Sequence, residues 1–278
     1  MKEIRICDTH NDFLTELPLC EILPYVEKCK RTGVEKVCAS YWSSRREEEK
    51  IESELLERAK ILNEAGDVPL LHIEDLWWVK DEKKLEFLLE LKPFSCSLTW
   101  NDENCLAGGS KSEAGLSDWG KHCLQRLLDA GVVVDVAHLN RKSFWQMAKV
   151  LKNNIYCSHT GFCGVKQHKR NLTDKQIDCI VRSGGFVGLF FFDDCIKQEG
   201  SLFDAETIVQ NLRYFCSRWG FDNIGIGTDF FGIDNPPLGL EDYCGFEKLA
   251  FAMKSAGFSG SQIEKILCRN FKDFLARR

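Results

Sequence analysis

Short runs of apolar residues alternate with longer, helix-like patterns along the whole sequence, and this alternation limits the fold more than any other feature. Eight runs are rich in β-branched residues, apolar on both faces and bounded by turn signals, as buried parallel strands are. The predicted strands are 4–7, 36–40, 69–73, 94–98, 132–136, 155–157, 186–190 and 224–227. Eight strand-then-helix units in 278 residues favour a closed barrel, since about 250 residues is the usual size of a (β/α)8 barrel. We therefore predict an α/β protein, a (β/α)8 TIM barrel.

The segments between the predicted strands have helical periodicity. The clearest predicted helices are 47–65, 119–130, 141–151 and 205–218. Thr173 with Gln176, and Ser259 with Gln262, have the spacing of capping boxes that begin helices. No linker, repeat or low-complexity segment interrupts the series, so we predict a single domain over residues 1–278.

Composition and charge exclude several classes of partner. Apolar residues make up 44% of the chain, which is enough for a large core, and the net charge of -5 gives no field that would attract nucleic acid or an anionic membrane. Charges interrupt the apolar residues at the N-terminus, and no apolar run is long enough to span a bilayer. We expect a cytoplasmic protein with a small-molecule substrate; the oligomeric state stays open, with a homodimer among the alternatives.

The cysteines predict no disulfide framework. All 14 are scattered singly, often in apolar segments, and none forms a CxxC pair. We interpret them as reduced core thiols. Any metal ion would then be held by histidine and carboxylate side chains.

Polar residues stand where five of the predicted strands end. In a (β/α)8 barrel the chemistry is located at the C-terminal ends of the strands. These residues are His10 and Asp12 in ICDTHND, Glu74 in LLHIED, His138 in VVVDVAH, His159 in IYCSH, and Asp229 in IGIGTD. Each alone has a structural alternative, a satisfied core histidine or a carboxylate that caps a helix. Together, three histidines and three carboxylates at one rim are enough for two metal ions that share a bridging carboxylate.

These motifs, in this order and spacing, resemble those of the renal or membrane dipeptidase family of amidohydrolase-like, metal-dependent hydrolases. The resemblance covers nearly the whole chain. It rests on ICDTHND, Glu74, DVAH, YCSH followed by KRNLTDKQI, IGIGTDF, and ILCRNF near the C-terminus.

The resemblance implies two divalent metal ions, which we expect to be zinc, and assigns a role to each rim residue. His10 and Asp12 would hold one ion, and His138 and His159 the other. Glu74 would bridge the ions, while Asp229 would lie beside the first ion and act as base and then acid. Arg170, in the place of a family arginine, would bind the free carboxylate of the substrate through its guanidinium fork.

The sequence departs from the family pattern after the fourth and third strands. Many members have a histidine that helps to hold the substrate, where this chain has Trp100 followed by Asn101. Tryptophan has a single N–H and carries no charge, so we expect Asn101 or a metal ion to contribute to oxyanion stabilisation. Glu74 is followed by Asp75 rather than glycine, and the nearby pair Trp77–Trp78 is interpreted equally well as a pocket wall or as packing.

Three functional hypotheses follow. The first is a metallodipeptidase that cleaves small dipeptides, including some with a D-residue at the carboxyl side. The second keeps the binuclear metal site but changes the substrate to a lactone, cyclic amide or N-acyl amino acid, because Trp100 replaces the family histidine. The third is a non-catalytic metal-binding barrel, against which the complete ligand set argues.

Overall fold

Eight parallel strands pair in sequence order and close into a barrel in the computed structural model, which describes residues 4–44 and 46–277. Asp8 of the first strand pairs with Ile226 of the last and so closes the ring. The strands are β1 Ile6–Asn11, β2 Val34–Trp42, β3 Pro69–Glu74, β4 Ser95–Ser97, β5 Val133–Asp135, β6 Tyr156–Thr160, β7 Phe186–Leu189 and β8 Ile224–Ile226. The predicted (β/α)8 TIM barrel is confirmed.

Helices follow every strand and cover the outside of the barrel. They are α1 Phe13–Glu16, α2 Leu19–Arg31, α3 Glu48–Glu64, α4 Glu82–Glu90, α5 Asp118–Asp129, α6 Arg141–Leu151, α7 Asp174–Arg182, α8 Asp193–Ile196, α9 Ala205–Trp219, α10 Phe246–Ser255, α11 Gly260–Glu264 and α12 Asn270–Ala276. A π-helical turn, Lys265–Arg269, joins α11 to α12. The four predicted helices agree with α3, α5, α6 and α9 to within one residue at each end, and both capping boxes are present.

Two strands that carry candidate site residues run at least three residues further than their apolar patterns predict, and β3 runs one residue further, to Glu74. β1 continues to Asn11, which pairs with Ala39, and β6 continues to Thr160, which pairs with Leu189. The polar residues in these extensions are buried at the barrel mouth. For β1 and β6 the apolar pattern therefore ends too early, because the last residues of these strands are polar.

An aromatic cluster fills the opposite, N-terminal end of the barrel. Tyr156 and Phe186, at the starts of their strands, stack with Phe271 and Phe274 of the C-terminal helix α12. All four rings are buried. Because this end is plugged, the C-terminal ends of the strands form the accessible mouth of the barrel.

Every cysteine is free, and most are buried as predicted. Cys20, Cys105 and Cys244 are exposed, so the interpretation of all of them as core thiols is wrong for these three. No helix among residues 4–44 and 46–277 is both long and apolar enough to cross a membrane.

Gly188 allows β7 to approach β6 and β1 closely inside the barrel. A Cβ atom at this position would overlap the carbonyl oxygen of Ser158 and the hydroxyl of Thr9. The Thr9 Oγ1 atom donates to that carbonyl at 2.6 Å, so both neighbours are held in place. The backbone at Ser158, next to His159, can therefore keep its position only because residue 188 is glycine.

We predict that Gly188→Ala lowers the free energy of unfolding by about 1–3 kcal/mol, as overpacking of a rigid core does. Urea unfolding followed by circular dichroism measures the change. Gly260→Ala is the matched control, because Gly260 has open space around its Cβ direction and no positive φ. Equal stability of the two variants would contradict the prediction.

Candidate active site

The six predicted rim residues meet at the mouth of the barrel. Each is placed by the end of a strand, and their ligand atoms form three overlapping groups in which all atoms lie within 4.8 Å of one another. The groups are His10, Asp12 and Glu74; Glu74, His138 and His159; and His10, His159 and Asp229. Asp12 lies just beyond β1 as the residue before α1, yet its Oδ2 remains 3.4 Å from His10 Nε2. The structure thus brings together every residue of the predicted set, while their role as metal ligands stays a prediction.

Glu74 lies between the other members of this cluster. Its Oε1 atom is 3.0 Å from His138 Nε2 and 3.8 Å from His159 Nε2. Its Oε2 atom is 3.7 Å from His10 Nε2. Each carboxylate oxygen therefore faces a different part of the cluster, which is the arrangement that a bridging ligand requires.

A hydrogen bond to Asn101 assigns the tautomer of His138. The Nδ1 atom of His138 is 3.1 Å from Asn101 Oδ1, and that oxygen also accepts a hydrogen bond from Ser110 Oγ at 2.8 Å. An amide oxygen only accepts, so Nδ1 carries the proton. The Nε2 atom consequently directs a lone pair at Glu74 and His159.

Ser158 and Asp135 assign the tautomer of His159 in the same way. The Ser158 hydroxyl donates to the buried carboxylate of Asp135, and its oxygen lies 2.7 Å from His159 Nδ1. With its proton committed, the hydroxyl accepts from Nδ1–H, and Nε2 is again unprotonated. The Nε2 atoms of His138 and His159 are 2.9 Å apart, so two lone pairs face each other.

Burial and clustered negative charge shift the pKa values of the site. Burial by itself lowers the pKa of His10, but the carboxylates of Asp12, Glu74 and Asp229 outweigh it and raise that pKa to about 10. Burial raises the pKa of Asp229 to about 7 and that of Glu74 well above its usual range. Burial also holds the pKa values of His138 and His159 well below their usual range. The raised pKa values of His10, Glu74 and Asp229 show that the cluster favours added positive charge.

Several buried atoms of the cluster have no hydrogen-bond partner in the described residues. They are His10 Nε2, Asp12 Oδ1 and Glu74 Oε1. Leaving such atoms unpaired costs about 1–3 kcal/mol each. Buried polar atoms without partners are typical of sites that bind a ligand or an ion.

Three residues at strand ends have left-handed backbone conformations. Asp75, His138 and Asp229 all have φ of 64°. Non-glycine residues held there cost of order 1 kcal/mol or more, and such positions concentrate at functional sites. The conformation at Asp75 explains why a glycine is expected after Glu74.

Arg170 lies in the segment after β6, on the side of the mouth opposite the end of β3. Its guanidinium packs over the ring of Phe190 at 5.8 Å, and no salt bridge engages it within residues 4–44 and 46–277. The backbone N–H of Arg170 donates to His168 Nδ1 at 3.2 Å, so His168 supports this segment. Both His72, which is buried against Ser95, and His122, which pairs with Glu82 on the surface, lie outside the cluster.

The tryptophans near the site divide into two groups. Trp100 and Asn101 both line the cavity that contains Glu74 and His138. The side-chain oxygen Oδ1 of Asn101 already accepts hydrogen bonds from His138 and Ser110. Trp78 is fully buried, and Trp77 packs against the core without lining the cavity. For the pair 77–78 the packing alternative is therefore correct. The roles of Trp100 and Asn101 as substrate contacts stay predictions.

Sequence reasoning missed the residues that orient the ligands. Ser158 directly precedes His159 in the motif YCSH, and Asp135 stands three residues before His138 in DVAH. Asp8, which the motif ICDTHND places on the first strand with His10 and Asp12, accepts hydrogen bonds from Thr228 and Tyr243 and so ties β1 to the segment after β8. Their polarity inside apolar strands was the available signal, because a buried carboxylate needs donors nearby.

Comparison with known proteins places the chain in a family. The profile of "Membrane dipeptidase (Peptidase family M19)" matches residues 68–274, well over half of the chain. The chain belongs to the membrane dipeptidase family. Glu74, His138, His159, Arg170 and Asp229 fall inside the match, whereas His10 and Asp12 precede it.

Curated relatives have similar sequences over part of their length. Dipeptidase tcpJ of Claviceps purpurea is 27% identical over 171 residues, which is 60% of this chain and 40% of that protein. The chain spans only 40% to 61% of the length of the first three curated relatives that it matches.

Two solved metallopeptidases have the same fold at low sequence identity. Dipeptidase AC, of family M19, superposes with a TM-score of 0.89 at 21% identity, with 99% of each chain covered. A metallopeptidase from Rhodobacter sphaeroides, liganded with a phosphinate mimic of the dipeptide L-Ala-D-Ala, gives 0.87 at 20% identity over 99% of each chain.

We predict that Asn101→Ala lowers the affinity of the cluster for a divalent ion by about 10- to 100-fold, because His138 loses the acceptor that fixes its tautomer. Titration of metal-free protein with Zn²⁺ against a competing chromophoric chelator measures this affinity. Asn101→Asp, which keeps an acceptor oxygen, should retain most of it. Asn153→Ala, on the exposed segment after α6, is the control; a loss as large in this variant would refute the assignment.

Proposed function

We propose that this protein is a metal-dependent dipeptidase with two divalent metal ions, expected to be zinc, at the mouth of its barrel. The observation that carries the proposal is the set of converging candidate metal-ligand atoms around Glu74, three of which have no hydrogen-bond partner in the described residues. Membership of a family of dipeptidases supports the reaction type. Since the chain spans only part of the length of its curated relatives, the activity itself needs a direct test.

The residues of the cluster fit divalent cations better than they fit one another. The lone pairs of His138 and His159 face each other at 2.9 Å, and three carboxylates crowd His10 within 3.8 Å. A hydrogen bond cannot join two unprotonated nitrogens. Positive charge between these atoms would remove the repulsion, and imidazole with carboxylate is a ligand set that zinc accepts.

The positions of the side chains support a division into two metal sites. His10 and Asp12 would hold one ion and His138 and His159 the other. Glu74 would bridge them, since its two oxygens face the two histidine groups separately. Ser158 with Asp135, and Asn101, would keep the histidine lone pairs directed at the ions.

The chemistry follows from what surrounds the cluster. Such cations, when bound, supply an activated water and polarise a carbonyl oxygen. Asp229, whose Oδ1 is 3.8 Å from His10 Nε2, would accept a proton from the attacking water and return it to the departing amine. Arg170, which has no ion-pair partner in the part of the chain that the structure describes, would bind the carboxylate of the substrate through two parallel hydrogen bonds.

The substrate class follows from this arrangement and from one neighbour in structure. A ligand that places a carboxylate at Arg170 and an amide over the cluster is a dipeptide or an N-acyl amino acid. The Rhodobacter sphaeroides metallopeptidase was solved with a mimic of L-Ala-D-Ala, which supports including D-residues at the carboxyl side. We therefore propose small L,L and L,D dipeptides as substrates.

The first test is hydrolysis of an L,L and L,D dipeptide panel by zinc-loaded protein, with metal content measured in parallel. We expect about two ions per chain and release of free amino acids that a chelator abolishes. Asp229→Asn should lower kcat by at least about 100-fold, because it removes the proton acceptor. Asp129→Asn, on the exposed end of α5, should leave turnover unchanged.

Other outcomes of this test separate the remaining hypotheses. Two bound ions without dipeptide hydrolysis, but with cleavage of N-acetyl amino acids or lactones, would replace the substrate class and keep the metal site. Absence of turnover with every substrate, in protein that binds the metal ions, would favour a non-catalytic barrel. Failure to bind ions would overturn the proposal as a whole.

A second prediction concerns Arg170. We expect Arg170→Met to lower kcat/KM for dipeptides by about 10- to 100-fold, because a charged hydrogen-bond pair contributes about 1.5–3 kcal/mol. The same substitution should change the rate for dipeptide amides little, since these lack the carboxylate. Steady-state kinetics on matched acid and amide substrates measures both. Equal losses for the two substrates would remove the carboxylate-binding role.

A further inference from the structure

Two tryptophan rings form one wall of the cavity at the barrel mouth. Trp42 ends β2 and Trp100 follows β4, and their rings meet above the end of β3 with centroids 4.8 Å apart and planes inclined by 48°. Both line a cavity of about 290 Å³ that also contains Glu74, His138 and Asp229. This aromatic wall, Trp42 with Trp100, is therefore part of the same cavity as the candidate metal ligands.

The structure holds the wall in place through Asp75. Trp42 Nε1 donates to Ser44 Oγ at 2.7 Å, and Ser44 Oγ donates to Asp75 Oδ2 at 2.5 Å. On the other side, Asn104 of the segment after β4 donates to Asp75 Oδ1 at 2.8 Å. One buried carboxylate thus fixes both segments that carry the rings. The polar edge of Trp42 is hydrogen-bonded, so what it offers a ligand is chiefly ring surface.

The aromatic wall and Arg170 lie on opposite sides of the mouth. The wall stands above β3, while the Arg170 guanidinium packs over Phe190, the residue after β7. In a closed barrel of eight strands in sequence order, β3 and β7 are four strands apart and face each other. Glu74 and the histidines lie between them. A ligand with its carboxylate at Arg170 and its amide over the cluster must extend toward the wall.

We infer that Trp42 and Trp100 form the subsite for the amino-side residue of the substrate and select large apolar or aromatic side chains there. This inference rests on the proposed dipeptidase function and adds a substrate preference to it. Aromatic rings pack favourably on indole faces beyond the effect of buried area. The expected order is therefore phenylalanine, then alanine.

The test compares dipeptides that differ only at the amino-side residue. For the wild-type protein we expect kcat/KM for phenylalanyl-glycine to exceed that for alanyl-glycine by about tenfold or more. In Trp100→Ala this ratio should fall by about tenfold, and in Trp42→Ala by a comparable factor. Trp145→Ala, on the outer face of α6 and 39% exposed, is the matched control and should keep the wild-type ratio.

A reversed series checks the direction of binding. The ratio of glycyl-phenylalanine to glycyl-alanine should be the same in the wild type and in both wall variants. If the wall variants change this ratio instead, the wall faces the carboxyl-side residue and the inference is wrong. Equal loss for every substrate would show only damage to the fold and would also overturn it.

Failure of the proposed function gives a different result. If the metal-loaded protein cleaves no dipeptide, the same peptides can be titrated into it by calorimetry without turnover. Tighter binding of phenylalanyl-glycine than of alanyl-glycine, lost in Trp100→Ala, would keep the subsite although the dipeptidase proposal has failed. Equal affinities, or no binding, would overturn the subsite as well.

Discussion

The nitrogen and oxygen lone pairs buried at the mouth of the barrel repel one another, and the arrangement of the surrounding residues depends on this repulsion. Three histidine nitrogens and three carboxylates are held within a few ångströms, and the unprotonated Nε2 atoms of His138 and His159 face each other at 2.9 Å. Such a cluster would relax if its members were free to turn away. The structure prevents this by placing each residue at a strand end and by fixing two of the rings through Nδ1. The rest of the barrel serves as the rigid frame that this unfavourable arrangement needs.

The positions of the candidate ligands were predictable because they depend on local patterns. A strand is visible as a short apolar run, and a residue that follows it at a barrel rim must face the mouth. This reasoning placed His10, Glu74, His138, His159 and Asp229 correctly in space. It was less successful for strand length, since β1 and β6 continue through buried polar residues that an apolar pattern excludes.

The aromatic wall and the support of His138 were not predictable in the same way. Both depend on where the long segment between β4 and α5 returns to the barrel. Ser110, nine residues beyond Asn101, bonds the same oxygen as His138, and Asn104 reaches Asp75. No periodicity in the sequence encodes these contacts. Trp100 was therefore interpreted as a weaker substitute for a polar residue, whereas the structure places its ring against Trp42.

The neighbouring residues Glu74 and Asp75, at the end of β3, connect the candidate metal ligands with the aromatic wall. Glu74 directs its two oxygens at separate histidines, and Asp75 turns its carboxylate the other way, toward the segments that carry the wall. The left-handed backbone at Asp75 makes this reversal between neighbours possible. A glycine there would relieve the strain but could not hold Ser44 and Asn104. The strained aspartate is thus consistent with a site in which the position of the aromatic wall is fixed relative to the reacting centre.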